Sequence, residues 1–196
     1  MPCVALSVDR NGVLNAAVFG GSSGGWQGPD TVGSACLVPG SPVTVFQQTS
    51  LIYVALAVDS EGTLNVFSLN VGDGTGWQGP DSVGNTSLVP GSPVTVFQQN
   101  GSTFTALMVD RNGVLNEASL NVSDGWKGPD TIGSACLTPG SKVTVYAQSV
   151  SVFAALMVDR NGVLNVATLD TSCDEGWQGP DTLGNASLVP GSSVYG

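Results

Sequence analysis

Apolar and polar residues alternate along short segments of the chain, a pattern typical of half-buried β-strands. The clearest example is the stretch 93–132, in which four such segments are separated by turn residues. The predicted strands are Pro93–Gln99, Phe104–Asp110, Val114–Leu120 and Trp126–Ile132. Asn112-Gly113 lies between the second and third strands and predicts a tight hairpin, because both residue types accept a positive φ. We therefore predict a small four-stranded antiparallel sheet.

Proline indicates where the fourth strand lies in this sheet. Pro129 cannot donate a hydrogen bond to a neighbouring strand, so prolines of this kind occur at sheet edges or at bulges. The strand Trp126–Ile132 is therefore predicted to be the outer strand. The Gly-Pro-Asp sequence within it is expected to form a turn or a bulge.

The same pattern occurs four times along the chain. Each unit of about 50 residues contains a Gly-Trp-Gln/Lys-Gly-Pro-Asp phrase, a hairpin with the order Asp-x-x-Gly-x-Leu-Asn, and a later Pro-Gly pair. The tryptophans of the four phrases are Trp26, Trp77, Trp126 and Trp177. Leucine-rich and β-helix repeats are shorter, and a β-sandwich does not need near-identical units. Tandem four-stranded sheets of this length predict a β-propeller with four blades.

The four units fill the chain, so we expect a single all-β domain over residues 1–196. Its blades are predicted at approximately 3–40 together with 192–196, 41–91, 92–140 and 141–191. Cys3–Asp9 corresponds to the second strand of a blade, and Gly191–Tyr195 corresponds to the start of a first strand. The C-terminal strand is therefore predicted to join the N-terminal blade and to close the ring. A monomeric four-bladed ring is preferred because it leaves little central void; a ring-sharing homodimer is the alternative.

Composition and charge exclude several functions. Fifteen acidic and five basic residues give a net charge of −10, so the chain has no basic surface for nucleic acid or for an anionic membrane. The absence of histidine excludes a Ser-His-Asp triad, and no apolar run approaches the ~20 residues of a membrane span. No unit shows an unrepeated, buried-looking carboxylate pair suited to acid–base chemistry. We therefore expect neither an enzyme nor a bound metal or cofactor.

The four cysteines, Cys3, Cys36, Cys136 and Cys173, include no CxxC pair and no zinc-site spacing. Cys3 stands where the other units have an aromatic residue, at Tyr53, Phe104 and Phe153, and is predicted to be buried. The N-terminal segment matches the repeat and has no signal-peptide pattern. We therefore expect free thiols and a cytoplasmic or non-classically secreted protein.

Two motifs present in all four units resemble those of a known group. The Asp-x-x-Gly-x-Leu hairpin, and the strand that begins with Trp and ends in Val/Ile/Leu-Gly, are similar to those of the fucose-lectin-type and tectonin-type β-propellers of bacteria and fungi. The resemblance covers the whole chain. It implies a multivalent lectin that binds glycans, often fucosylated or O-methylated, between adjacent blades. The alternatives are a protein-binding scaffold, an artificial repeat protein, or an enzyme acting on a small molecule.

The repeated tryptophans are the predicted sugar-stacking residues, because an indole offers a flat apolar face and an N–H donor. The alternative is that each tryptophan wedges between blades as part of the core. Polar side chains in the same phrase are expected to supply hydrogen bonds to sugar hydroxyls; these are Gln27, Gln78, Gln178, Asp30, Asp81, Asp130 and Asp181.

Two other sets of repeated residues have structural interpretations. The hairpin aspartates lack the ligand spacing of a calcium loop, so they predict Asx-turns. The asparagines that follow are expected to satisfy backbone groups of the hairpin rather than to line a pocket. The aspartates are Asp9, Asp59, Asp110 and Asp159, and the asparagines are Asn15, Asn65, Asn116 and Asn165.

Overall fold

The computed structural model describes residues 3–19, 24–134, 136–185 and 187–195. Within these ranges the chain forms fifteen β-strands, and no helix there is long and apolar enough to cross a membrane. The predicted all-β class is confirmed. The first two residues of the repeat-matching N-terminal segment, and Gly196 at the end of the predicted closing strand, lie outside the described residues.

The strands form four antiparallel sheets in chain order. The first sheet contains β1 (Cys3–Val8), β2 (Leu14–Phe19) and β3 (Trp26–Thr31). The second contains β4 (Thr44–Gln47), β5 (Ile52–Val58), β6 (Leu64–Asn70) and β7 (Trp77–Ser82). The third contains β8 (Thr95–Gln98), β9 (Thr103–Val109), β10 (Leu115–Asn121) and β11 (Gly125–Ile132). The fourth contains β12 (Thr144–Ala147), β13 (Val152–Val158), β14 (Leu164–Asp170) and β15 (Trp177–Thr182). The predicted four strands of the third unit are confirmed.

An aspartate holds the hairpin between the second and third strands of a unit. In the third sheet, Asp110 Oδ1 accepts hydrogen bonds from the backbone N–H groups of Asn112 (2.9 Å) and Val114 (2.8 Å). Gly113 has a φ of 79°, and the Asn116 side chain donates to the Val114 carbonyl (2.9 Å). The same Asx-turn forms at Asp9, Asp59 and Asp159. The equivalent hydrogen bond from the side-chain amide to a backbone carbonyl forms at Asn15, Asn65 and Asn165. The Asx-turns are confirmed, and so are the asparagine hydrogen bonds to the hairpin backbone, although Asn116 also lines a cavity.

The Trp-containing strand lies at the edge of every sheet, and its Gly-Pro-Asp segment interrupts the strand register. In the third sheet, the pairing of β10 with β11 shifts between Glu117 and Ser119, so that one residue faces Gly128-Pro129. The other sheets shift at Ala16/Val18, Val66/Ser68 and Val166/Thr168. The predicted edge position and the predicted bulge are therefore confirmed.

The apolar core lies between adjacent sheets. Three clusters of buried side chains each combine residues from two consecutive sheets. Between the second and third sheets, for example, Leu56 and Val66 pack with Phe104 and Met108. We call the three boundaries the first, second and third junctions in chain order. The central strands β5, β9 and β13 are buried along almost their whole length, so each depends on a neighbouring sheet as well as on its own.

A backbone hydrogen bond crosses each junction at the hairpin. At the first, second and third junctions, a backbone N–H donates to a backbone carbonyl of the preceding sheet. The bonds run from Ser60 to Cys36 (2.9 Å), from Arg111 to Ser87 (3.0 Å) and from Arg160 to Cys136 (3.2 Å). Arg111 also donates through Nε to the Leu88 carbonyl (2.7 Å) and through Nη2 to the Glu61 carbonyl (2.5 Å). Arg160 donates equivalently to the carbonyls of Leu137 (2.9 Å) and Asn112 (2.7 Å). Guanidinium groups therefore brace the second and third junctions, whereas the first junction has Ser60 at this position.

Glycine allows the sheets to approach closely at the junctions. A Cβ atom at Gly84 would lie 2.4 Å from the Gly128 carbonyl oxygen and 2.6 Å from Pro129 Cδ of the next sheet. Gly33 and Gly133 have the same close approach to Gly79 and Gly179, respectively. Close packing of the sheets therefore requires the glycine of the Val/Ile/Leu-Gly motif, because a side chain at this position would collide with the Gly-Pro segment of the next sheet.

The C-terminal segment lies against the fourth sheet. Thr144 Oγ1 donates a hydrogen bond to the Val194 carbonyl (2.6 Å). The equivalent bonds join Thr44 to Val94 and Thr95 to Val143, both at 2.5 Å. Gly191–Tyr195 therefore follows the path of the segment that enters the next sheet. Among the described residues it forms no strand and does not pair with β1, so the predicted ring closure is not observed.

All four cysteines are free and exposed. The prediction that Cys3 is buried is wrong. The equivalent residues Tyr53, Phe104 and Phe153 are buried because their strands lie inside four-stranded sheets. Cys3 lies on β1, which is the edge strand of a three-stranded sheet.

Gly84→Ala is expected to destabilise the protein more than Gly184→Ala. The two glycines have similar positive φ values of 56° and 65°, so both variants carry a conformational cost of about 1–2 kcal/mol. Only at Gly84 does the new Cβ meet the next sheet, since nothing lies within 4 Å of it at Gly184. We expect Gly84→Ala to lose a further ~1–3 kcal/mol of unfolding free energy in urea denaturation. Equal losses in the two variants would contradict the close-approach role.

Candidate functional site

Three of the four predicted tryptophans are half-buried at the junctions. Trp77, Trp126 and Trp177 pack against the apolar clusters of the first, second and third junctions, respectively. Trp26 is 57% exposed and contacts Phe19, with the ring centroids 5.5 Å apart. The junction tryptophans are part of the core and also keep some accessible surface, so packing and ligand contact do not exclude each other.

A cavity of about 300 Å³ opens at the first junction. The first sheet contributes Ala16, Val18, Asp30 and Thr31, and the second contributes Leu69, Thr75, Gly76 and Trp77. The indole nitrogen of Trp77 is buried and finds no hydrogen-bond acceptor among the described residues. An unpaired buried donor costs about 1–3 kcal/mol, so this N–H would gain from any acceptor that reaches it.

The first-junction cavity combines residues from different units. Trp77 lies with Asp30 of the preceding unit, whereas Asp81 of its own phrase does not line the cavity. This grouping follows from the stacking of the sheets, which places β7 beside β2 and β3. The cavity therefore brings together the exposed aspartate of one outer strand and the tryptophan of the next outer strand.

The predicted glutamines are exposed on the outer strands. Gln78 and Gln178 donate to the carbonyls of Thr75 and Glu175 in their own loops, both at 3.2 Å. Gln27 is exposed as well. In the third unit, Lys127 takes this position and forms an exposed ion pair with Asp124 at 3.1 Å. Two of these side chains therefore stabilise their own loops. Asp81, Asp130 and Asp181 are also exposed.

The third junction contains a residue that the sequence analysis did not select. Glu117 on β10 accepts a hydrogen bond from the Trp177 indole N–H of the next sheet. It also lies directly across the strand pair from Asp130. Asp130 is exposed and recurs in every unit, so these two residues are not the unrepeated, buried carboxylate pair that the sequence analysis found lacking. The signal was available in the repeat, because Ala16, Val66 and Val166 occupy the equivalent position in the other units.

The environment of Glu117 favours its protonated form. Burial raises the pKa of Glu117 above its ordinary value, and the negative charge of Asp130 adds to this rise. The hydrogen bond from Trp177 acts in the opposite direction. Carboxyl oxygens accept hydrogen bonds, and a protonated carboxyl also donates one, so this junction offers polar partners to a ligand.

A second cavity, of about 240 Å³, lies at the second junction and is mainly polar. Asn85, Thr86 and Ser87 line it from one side, and Asp110, Asn116 and Thr131 line it from the other. Several of these groups already have partners. Thr86 Oγ1 bonds the Gly62 carbonyl and the Leu64 N–H, and Asp110 holds its hairpin. The arrangement explains how these side chains stabilise the hairpins.

Among the described residues, no group of three or more Asp, Glu, Cys or His side chains is placed to hold a metal ion. The candidate sites are therefore built from indole, carboxylate and apolar groups.

Solved structures show what this architecture is similar to. No family model and no curated protein matches the chain. The BP39L lectin of Burkholderia pseudomallei is 28% identical, with a TM-score of 0.81 over 93% of this chain and 52% of that lectin. The Aleuria aurantia lectin, a six-bladed β-propeller, is 14% identical, with a TM-score of 0.60 over 96% of this chain and 60% of that chain.

A third structure, the SapL1 lectin in complex with α-methyl fucoside, is 15% identical, with a TM-score of 0.58 over 95% of this chain and 65% of that chain. The chain resembles the β-propeller lectins. The resemblance to the fucose-lectin-type propellers that the motifs predicted is thus confirmed. The chain spans between 52% and 65% of the length of these three lectins.

Glu117→Gln is expected to change how stability depends on pH. Because folding raises the pKa of Glu117, the wild-type protein loses stability as pH rises from the ordinary glutamate value of 4.5 through the higher value in the folded state. Glutamine does not titrate, so the variant does not have this loss. The unfolding free energy of Glu117→Gln relative to wild type, measured in urea between pH 4 and 7, should therefore rise with pH.

Asp130→Asn provides the control for this prediction. It removes the neighbouring negative charge and so lowers the folded-state pKa of Glu117, which should make the loss of stability at Glu117 smaller and end it at a lower pH. A relative stability of Glu117→Gln that stays constant, or falls, over this pH range would contradict the raised pKa.

Proposed function

We propose that the chain is a multivalent, non-catalytic lectin that binds glycans at the junctions between adjacent sheets. The observation that carries this proposal is the buried Trp77 indole N–H that lacks an acceptor at the first-junction cavity. The lectin structures with the same fold support it. A function at the junctions also agrees with the placement of Trp126 and Trp177 at the other two.

The chemistry of the first-junction cavity suits a sugar. A sugar has apolar C–H surfaces and oxygen atoms that donate and accept hydrogen bonds. Trp77 supplies an aromatic surface and an N–H donor, while the Asp30 carboxylate supplies an acceptor for a hydroxyl group. Few polar groups among apolar ones are typical of small-molecule pockets.

We further propose that the bound sugar carries a methyl group, as fucose and O-methylated sugars do. Ala16, Val18 and Leu69 give the cavity an apolar wall that a methyl group can contact. Burial of one such group contributes about 0.8 kcal/mol. Support also comes from the Aleuria aurantia lectin, which is described as having a fucose recognition mode, and from the α-methyl fucoside in the SapL1 structure.

Repetition makes the proposed binding multivalent. Three junctions present a tryptophan, so a clustered glycan is expected to contact more than one of them. When weak sites are linked, the overall avidity can exceed the affinity of a single site by a factor on the order of 10²–10⁴. No single site then has to bind strongly.

We also propose that the open faces of the first and fourth sheets meet head to tail in a ring shared by two copies. Leu188 is 39% exposed, whereas its equivalents Leu37, Leu88 and Leu137 are at most 3% exposed and pair with the hairpin of the next sheet. The corresponding hairpin on the first sheet contains Asp9.

Trp77→Phe is expected to weaken sugar binding at the first junction. Phenylalanine keeps an aromatic surface but removes the N–H donor, and a hydrogen bond of this kind contributes about 1 kcal/mol, or roughly fivefold in Kd. Val150→Ala serves as the control, because Val150 is 96% exposed and does not line the cavity, so its change should have little effect. Calorimetric titration with methyl α-L-fucoside and an O-methylated sugar measures the difference.

A glycan array tests the general proposal independently of the chosen sugar. Natively folded protein that binds no glycan on a broad array would overturn lectin function. Unfolding of Trp77→Ala with full binding by Trp77→Phe would assign Trp77 to the core alone.

Leu188→Asp is expected to disrupt the proposed ring contact without unfolding the sheets, because Leu188 is partly exposed within one chain. Sedimentation velocity should give twice 19.8 kDa for the wild type and 19.8 kDa for the variant. Ser187→Asn is a conservative control on the same segment. A wild-type mass of 19.8 kDa at all concentrations would overturn the shared ring.

A further inference from the structure

One loop position of the repeat combines a capping role with a reactive amide. The position lies between the first and second strands of a sheet and is occupied by Thr49, Asn100 and Ser149. In the third sheet, Asn100 Oδ1 accepts hydrogen bonds from the backbone N–H groups of Ser102 and Thr103, both at 3.0 Å. Thr49 and Ser149 accept the equivalent pair of N–H groups through their hydroxyl oxygens. Only the asparagine adds a carbonyl carbon that a nucleophile can attack.

The residue after Asn100 supplies a nucleophile. Among the described residues, the Gly101 N–H donates no hydrogen bond. Gly101 is exposed, and apart from its chain neighbours no heavy atom lies within 4 Å of the place that a Cβ would take. The main chain therefore has room to rotate until Gly101 N contacts Asn100 Cγ.

The hydrogen bonds that Asn100 accepts also prepare its amide for attack. The Ser102 hydroxyl donates to Asn100 Oδ1 at 3.2 Å, in addition to the two backbone N–H groups. Attack on Cγ places negative charge on Oδ1, and donors already directed at an oxygen stabilise such charge as it develops. The cap thus holds the electrophile beside an unbonded nucleophile.

The other three Asn-Gly pairs are held by their hairpins. Each glycine N–H donates to the carbonyl of the hairpin aspartate at 3.1 Å. A Cβ at each of these glycines would lie 2.1–2.2 Å from a backbone oxygen, so the main chain has no room to rotate. Attack at these pairs requires local opening of the hairpin first. The pairs are Asn11-Gly12, Asn112-Gly113 and Asn161-Gly162.

We propose that Asn100 is a site of spontaneous covalent modification, where Gly101 N attacks the side-chain amide and the asparagine becomes aspartate or isoaspartate. A bond forms between Gly101 N and Asn100 Cγ, the bond from Cγ to the amide nitrogen breaks, and ammonia leaves with the proton of the Gly101 N–H. Water then opens the cyclic imide. Cleavage between Cγ and Gly101 N gives aspartate, and cleavage between the Asn100 backbone carbonyl carbon and Gly101 N gives isoaspartate. Water is the only co-reactant, and nothing is oxidised or reduced.

The modification changes both the charge and the chain path of this loop. Either product adds one negative charge to a chain whose net charge is −10. Isoaspartate also routes the main chain through the former side chain, which removes the cap on Ser102 and Thr103. The bond from the Gln99 N–H to the Thr103 carbonyl (2.9 Å) closes the same loop, so the connection between β8 and β9 is altered. These consequences do not depend on glycan binding.

Peptide mapping by mass spectrometry tests the proposal on the folded 196-residue protein during incubation in mildly alkaline buffer. The mass gain from exchanging an amide NH₂ for a hydroxyl should appear at Asn100 at least about tenfold faster than at Asn112, because Asn112 reacts only when its hairpin opens. In concentrated urea, where the hairpin bonds are lost, the four Asn-Gly pairs should react at similar rates. Equal rates at Asn100 and Asn112 in the folded protein would overturn the proposal.

Two variants separate attack by Gly101 from direct hydrolysis of the amide. Asn100→Ser copies Ser149, keeps a capping oxygen and has no amide, so the mass gain should vanish while the unfolding free energy of freshly prepared protein stays at the wild-type value. Gly101→Ala places a methyl group beside the nucleophile, which should slow the reaction at Asn100 and leave the rate at Asn112 unchanged. An undiminished rate in Gly101→Ala, or a product that contains aspartate without isoaspartate, would rule out the cyclic route.

Discussion

Packing between neighbouring sheets is the constraint on which the rest of the structure depends. A central strand such as β9 is apolar on both faces, and an isolated four-stranded sheet cannot remove both faces from water. Each sheet therefore needs the next one, and the clusters of apolar residues lie between sheets rather than within them. The close contact of Gly84 with the following Gly-Pro turn sets how near two sheets come. The cavities and tryptophans are found at these boundaries because that is where two independent surfaces meet.

Local chemistry made much of the fold predictable from the sequence. Asp110 and Gly113 define a hairpin through short-range bonds, and Pro129 marks an edge strand because it lacks a donor. These signals act within a few residues, and their fourfold recurrence indicated both the number of sheets and their order. The tail was the exception: its sequence matches the start of a strand, but strand formation requires a partner, and β1 does not pair with it in this chain.

The candidate site was less predictable because it joins residues of different units. Trp77 was selected from its repeated phrase, but its pairing with Asp30 depends on how the first and second sheets stack. Glu117 was passed over as a single deviation on one strand, although a charged residue at a position that is otherwise Ala or Val is a detectable signal. The repeats thus reveal the scaffold through what they share, and they reveal the differences between sites through the few residues that they do not.

The replacement of arginine by Ser60 has a mechanical consequence for the first junction. Arg111 and Arg160 each donate two side-chain hydrogen bonds to carbonyls of the preceding sheet. Ser60 has no guanidinium group, and its short side chain does not make the equivalent bonds. The first junction, where the Trp77 indole N–H has no acceptor among the described residues, therefore also has fewer hydrogen bonds at its hairpin than the other two. A small rotation of the first sheet against the second therefore breaks two fewer side-chain hydrogen bonds than the same rotation at either of the other junctions.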